Sequence, residues 1–346
     1  MRFLVFHKSG FHHTTSWAYP WIEYLKQNNI PFDEVDLFRV SNLVDFLKDY
    51  DVLLWQVAIA DFQEMLVGKS ILYTAKKMGL KVFPDFNDVW HKDDKVAETY
   101  LLEAIGAPIP KSWVFYNMES IEAALSNEEL SFPIVAKLRC GSGSNNVKLI
   151  KSKSQLISYA KTMFAGGLNA APSIMFKTSS HIKSSHSWDD VKKKIKRIPE
   201  FLHTRTERRK FPKESGYVYL QSFVPNDNYD LKVIVVGDKL TGFSRPTRSN
   251  DFRASGGGSL VFQKDLITKD IIDSAFSAAD ALGSQCMGFD YVVDNRNGKG
   301  YIVEMCCGFS HTAGMLPNGW WDRNGDWHEG ALNAPEEIIK NIMLSV

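Results

Sequence analysis

The sequence predicts a chain of mixed class, α/β followed by α+β: a parallel, helix-flanked sheet first, then two lobes built on antiparallel sheets. Three observations predict this. Short apolar runs alternate with helix-period segments over residues 1–90, the pattern of parallel strands joined by crossover helices. After Tyr217 the strand-like runs follow one another across short turns such as Val236-Gly237-Asp238, which antiparallel pairing requires. Between these regions, residues 177–216 are rich in Lys, Arg, His and Ser and poor in large apolar groups, so they interrupt a lobe rather than build one.

The elements follow in order. Arg2–Phe6 reads as an apolar strand and Trp17–Gln27 as a helix. Phe32–Val35 is a strand, Leu43–Leu47 a short helix and Val52–Val57 a buried strand. Phe62–Met78 is a long helix and Lys81–Pro84 a strand. Asp94–Ile105 is a helix stopped by Gly106-Ala107-Pro108. Lys111–Phe115 and Ile134–Leu138 are strands flanking a helix at Glu119–Leu125, and Ser154–Thr162 is a further helix. Beyond the basic stretch come strands at Tyr217–Phe223, Leu231–Val236, Leu240–Ser244 and Gly258–Val261, a helix at Ile271–Leu282, and strands at Met287–Val293 and Tyr301–Met305. The expected units are 1–90, 91–216 with the basic insertion 177–216, and 217–346.

Composition narrows the function classes. The 346 residues are 44% hydrophobic and 23% charged, ordinary for a globular chain of two or three domains. With 41 basic and 40 acidic residues the net charge is +1, which gives no case for nucleic-acid binding. No apolar run reaches membrane-spanning length, and MRFLVFHKSG reads as a first strand rather than a leader. Cys140, Cys286, Cys306 and Cys307 form neither a disulfide framework nor a zinc spacing, so a cytoplasmic protein is expected.

Two distant segments carry the chemistry. In Phe132–Val147, FPIVAKLRCGSGSNNV, Lys137 ends an apolar strand and a Gly/Ser loop follows: Gly141, Ser142, Gly143, Ser144. Glycines let backbone N–H groups approach phosphate oxygens, and serines add hydroxyl donors. The loop lacks the spacing of a P-loop, and a plain turn remains its alternative. In Met287–Ser310, MGFDYVVDNRNGKGYIVEMCCGFS, Asp290 and Glu304 interrupt apolar strands joined by the turn Asp294–Lys299, so they face each other across a hairpin. Facing carboxylates repel unless a cation lies between them, and magnesium is the oxygen-seeking cation that accompanies a triphosphate. Arg245, Arg248 and Arg253 in SRPTRSNDFRASGGG suit neutralisation of a transferring phosphate, or else form a solvated basic loop.

In this order the pieces resemble an ATP-grasp enzyme, from about Lys95 to Gly308. DDKVAETYLLEAIGAPIPKSWVF looks like the opening of the grasp, which implies that Lys95 and Lys137 contact ATP phosphates. YVYLQSFV resembles the hinge that binds adenine, which implies contacts from Gln221, Ser222, Phe223 and Val224. The stretch NYDLKVIVVGDKLTGFSRPTRSNDFRASGGG is similar to the family's strand pair and basic loop, which implies that Arg253 touches the transferring phosphate with Arg245 nearby. Asp290 and Glu304 are similar to its metal-binding pair, and residues 1–90 to its pre-grasp domain. The family's Glu-x-Asn is here Glu304-Met305-Cys306, and a thiol is a poor magnesium ligand.

The resemblance implies an ATP- and Mg2+-dependent ligase that joins a carboxylate to an amine through an acyl phosphate. A small-molecule acidic substrate is expected from the basic stretch: an acidic sugar, an amino acid or a cell-surface polysaccharide precursor. A homodimer is admissible. A small-molecule or sugar kinase on the same fold, and a non-catalytic nucleotide-binding protein, are the rival readings. The aromatic segment Gly319–His328 either packs against the body or stacks on a sugar.

Overall fold

The computed structural model describes residues 1–8, 16–141, 146–170, 206, 209–247, 253 and 259–344. Four short apolar runs form the first sheet: β1 (Phe3–Phe6), β2 (Phe32–Val35), β3 (Val52–Leu54) and β4 (Lys81–Phe83). Their order is β2-β1-β3-β4 and every pairing is parallel. Helices α1 (Ala18–Gln27), α2 (Leu43–Leu47), α3 (Phe62–Lys77) and α4 (Phe86–Val89) make or follow the crossovers. Side chains of β1 alternate between two cores: Phe3 and Val5 meet Trp17 and Trp21, whereas Leu4 and Phe6 meet Trp55 and Leu72.

The next unit begins with α5 (Lys95–Ala104), whose N-cap Asp94 accepts from the Ala97 N–H at 3.1 Å. Strands β5 (Ser112–Phe115), β6 (Ile134–Lys137), β7 (Lys148–Ile150) and β8 (Val218–Ser222) form an antiparallel sheet of order β5-β8-β6-β7. Helices α6 (Met118–Ser126) and α7 (Lys153–Ala165) cover one face through Ile121, Leu156 and Met163. Because β8 lies in this sheet, the structural seam between the lobes follows Ser222.

The last sheet contains β9 (Tyr229–Val236), β10 (Lys239–Pro246), β11 (Cys286–Val293), β12 (Gly300–Cys306), β13 (Gly319–Trp321) and β14 (Trp327–Glu329). Its order is β12-β11-β9-β10-β13-β14, and all its pairs are antiparallel. One face, with Leu231, Val233, Phe289 and Tyr291, packs on α8 (Lys269–Leu282), which stops at Gly283 in the left-handed region, φ 61°. Ile234 and Val236 of the opposite face join the core of the first sheet. After α9 (His311–Gly314), the closing helix α10 (Ala334–Leu344) packs there too: Trp21 Nε1 donates to Pro335 O at 3.1 Å, and Lys81 Nζ to Ile342 O at 2.9 Å. Chain end and chain start thus share one core.

One expectation changes, and one of two alternatives is met. Ser259 and Leu260 form no strand, and Val261 makes only a single bridge, to Ser244. The aromatic segment after Gly319 is a strand pair whose Trp321 is 3% exposed against Phe262 and Trp327, so it packs. Among the described residues, no helix is long and apolar enough to cross a membrane.

Candidate active site

Register places the charged residues of the last sheet in one row. Lys232 on β9 pairs with Asp290 on β11, and Asp290 with Glu304 on β12. Side chains at paired positions share a face, so the row crosses three strands on the side away from α8. Asp230, two residues before Lys232, shares that face and pairs in register with Arg245 on β10. Lys232 Nζ lies 2.7 Å from Asp290 Oδ1, and an Arg245 terminal nitrogen 2.7 Å from Asp290 Oδ2. Arg245 also grips Asp230, at 2.7 and 2.8 Å.

The other lobe supplies two lysines. Lys95, at the start of α5, lies 3.2 Å from Glu304 Oε1 and donates to Gly141 O at 2.7 Å. Lys137, the last residue of β6, donates to Gln221 Oε1 at 2.7 Å and to Val303 O at 3.1 Å. That carbonyl is available because of a bulge: Glu304 opposes Asp290 and Ile302 opposes Tyr291, leaving Val303 as the extra residue of β12. Groups 166 positions apart in sequence therefore meet at one seam.

Burial sets the electrostatics. Burial alone would raise the Asp290 carboxyl, but Arg245 and Lys232 hold it well below the usual range. Burial opposes charge on Lys95 and Arg245, yet the acids beside each outweigh it and both remain firmly cationic. Among the described residues no carboxylate pairs with Lys137, and burial pushes its ammonium down to about 8. Burial also pushes Glu98 up to about 8; this carboxyl sits beside Lys95 and accepts from the Met305 N–H at 3.3 Å. The repulsion between Asp290 and Glu304 is thus met by the protein's own cations, and their facing positions alone do not call for a metal.

The donor set still fits magnesium bound chiefly through a nucleotide. Glu304 is the accessible carboxylate, 36% exposed, whereas both Asp290 oxygens already face cations. Among the described residues no three His, Cys, Asp or Glu side chains form a metal cluster, which suits an ion that takes most of its ligands from phosphate and water. Cys306, on the same face two residues after Glu304, offers only a thiol raised by burial.

The remaining expected residues fall as follows. Gly141 is buried at φ 125°, its N–H donating to Asp93 Oδ1 at 2.9 Å. Ser142, Gly143 and Ser144 lie outside the described residues, as do Arg248 and most of 177–216. Gln221 is 3% exposed and its side chain positions Lys137. The Ser222 N–H donates to Lys111 O at 2.8 Å, and Val224 O accepts from Asn226 at 3.0 Å; Phe223 lies between them. Arg253 is half-buried, with neighbours 248–252 and 254–258 outside the described set. Sequence reasoning missed Lys232, Asp230 and Glu98. Lys232 had a readable signal, a charge inside the apolar run DLKVIVV.

No protein-family model matches the chain. The architecture does match solved structures: D-cycloserine synthetase DcsG (TM-score 0.58, 12% identity, 100% of this chain and 99% of that one) and D-alanine–D-alanine ligase from Bacillus anthracis complexed with ATP (TM-score 0.54, 15% identity, 90% of each). An ATP-grasp ligase, PsnB, complexed with precursor peptide PsnA2 and AMPPNP, aligns over 99% of this chain and 98% of that one, with TM-score 0.55 and 12% identity. The chain has the fold of these ATP-grasp ligases. Among curated sequences the chain is 20% identical over 269 residues to alpha-aminoadipate–LysW ligase LysX of Saccharolobus solfataricus, covering 78% of each.

Proposed function

We propose that this protein is an ATP-dependent carboxylate–amine ligase working through an acyl phosphate. The observation that carries the reading is the convergence of Lys95 and Lys137 from one lobe on the Lys232–Asp290–Glu304 row of the other. Lys95, Lys137, Lys232 and Arg245 gather at this seam, where Arg253 would join them, and catalysis of phosphoryl transfer is mainly positioning and charge neutralisation. A bound Mg2+ on Glu304, with Asp290 beside it, would polarise the transferring phosphate. A carboxylate oxygen takes the γ-phosphoryl group as its bond to ADP breaks. The amine then forms the C–N bond as the acyl C–O bond breaks, releasing phosphate and a proton. Gln221 aims Lys137, and the adenine end falls to residues 222–224.

The relatives are named for amino-acid and peptide ligation, so an amino-acid carboxylate is a better supported substrate than an acidic sugar. The test is ATP turnover with amino acids and hydroxylamine as the amine. Carboxylate-dependent ADP and phosphate, with a hydroxamate product, is the expected outcome. A stable phosphorylated product without free phosphate would make it a kinase, and nucleotide binding without turnover would make it a binding protein.

A further inference from the structure

A buried cation lies just beyond this row. Lys92, in the turn between α4 and α5, is 3% exposed, and its Nζ donates to Val57 O at 2.5 Å. Among the described residues no carboxylate pairs with it, and two of its three N–H bonds have no protein acceptor. A buried ammonium with one neutral partner is costly unless an anion completes it. The direction in which it faces is fixed by a glycine: a Cβ built on Gly308 would lie 2.8 Å from Lys92 Nζ and 3.6 Å from Gln56 Nε2. Gln56 Oε1 accepts the Trp17 N–H at 3.0 Å, which turns the amide N–H2 toward the same place. Among the described residues that N–H2 has no acceptor either.

Two donors thus converge where the first sheet's carboxyl edge meets the strand carrying Glu304. Ligands of parallel α/β sheets bind at that edge. Any side chain at position 308 would strike Lys92 Nζ, so glycine lets the ammonium approach the backbone there. Cys306 separates this spot from Lys232, its thiol feeling both ammonium groups. Gly308 follows Glu304 by four residues with a bend at Cys307, so this spot and the Glu304 carboxylate stand on either side of Cys306. One carboxylate of a small acid cannot occupy both places, but its two ends can.

We propose that Lys92 and Gln56 bind a second carboxylate of the substrate, so that the enzyme selects a dicarboxylic amino acid and activates the end nearer Glu304. This rests on the ligase reading for the identity of the activated end, but the binding of the second carboxylate is testable without turnover. The probes are aspartate, glutamate and 2-aminoadipate, in both enantiomers, each against its side-chain amide, with Mg2+ and a non-hydrolysable ATP analogue present. Thermal-shift titration measures the half-saturating concentration.

At least one acid should stabilise the wild type at lower concentration than its amide. Lys92→Met should raise that concentration about 10–150-fold, the range for one lost charge-assisted hydrogen bond, and abolish the preference for the acid. Affinity for the ATP analogue should stay within about two-fold, since Lys92 is outside the phosphate contacts. Gln56→Glu keeps the acceptor for Trp17, replaces the donor by a negative charge, and should give the same loss; it decides the matter should Lys92→Met not fold. The proposal is overturned if no acid is preferred over its amide by the wild type, or if the preference survives both substitutions. Failure of the ligase reading would instead appear as absence of hydroxamate despite intact Lys92-dependent binding.

Discussion

Replacing Lys137 by methionine should stabilise the nucleotide-free protein while crippling nucleotide binding. The side chain is 7% exposed and, among the described residues, hydrogen-bonds only a neutral amide and a carbonyl, at 2.7 and 3.1 Å. Burial lowers its ammonium from the ordinary 10.5 to about 8. By linkage this is about 3 kcal/mol against the charged form in the folded state. Below pH 8 folded and unfolded chains both carry the proton, and the whole cost is present. Between pH 8 and 10.5 the unfolded chain holds the proton that the folded one has lost, so stability rises with pH through that window. Methionine is nearly isosteric and has no proton to lose. Urea unfolding from pH 7 to 10.5, with and without an ATP analogue, measures the effect. The wild-type curve should climb by about 3 kcal/mol relative to Lys137→Met, a comparison that cancels tyrosines and thiols titrating in the same range. The ATP analogue should flatten the climb in the wild type alone, because phosphate keeps the ammonium charged. Parallel curves without nucleotide would refute the burial argument, and equal nucleotide affinity would remove Lys137 from the phosphate site.

Asp290→Asn should cost about 3–5 kcal/mol in urea unfolding, because Lys232 and Arg245 lose a buried counter-charge; a loss below about 1 kcal/mol would mean that Asp230 and water suffice. Glu98→Gln bears on a carboxyl raised from 4.5 to about 8. The folded wild type holds that proton where the unfolded chain has lost it, so its stability declines from pH 4.5 to 8, and the variant should decline less; an unchanged slope means that Glu98 is ionised throughout. A Cβ on Gly319 would lie 1.9 Å from the Trp327 ring, so Gly319→Ala should cost about 1–3 kcal/mol and shift tryptophan emission, and normal stability with native emission would show that the hairpin shifts freely.

Much of this was legible because two periodicities are local. β1, β3 and β4 announce themselves as apolar runs, and the helix at Ile271–Leu282 repeats Ile271, Ala275, Ala278 and Leu282 on its buried face. The same rule that singles out Asp290 and Glu304, a charge interrupting an apolar strand, applies equally to Lys232 in DLKVIVV. Stopping at the carboxylates left their repulsion to be balanced by a metal. Once Lys232 is seen in register with Asp290, the balance is internal. What no local rule could supply is register itself. The bulge that frees Val303 O for Lys137 is set by how β11 and β12 pair, 166 positions from the lysine that uses it. β13 and β14 are three residues each, too short for alternation to register, and exist as strands because β10 offers an edge to β13 and β13 one to β14. The helix α10 had a readable start, Ala334-Pro335-Glu336-Glu337, with proline in a first turn where no N–H is needed and acids at the positive end. Its importance is visible only in three dimensions, where Ile338, Ile339 and Ile342 complete the core that Trp17 and Trp21 begin. That closure holds the first sheet against the last one, and so fixes the distance between Lys92 and Glu304 on which substrate selection depends.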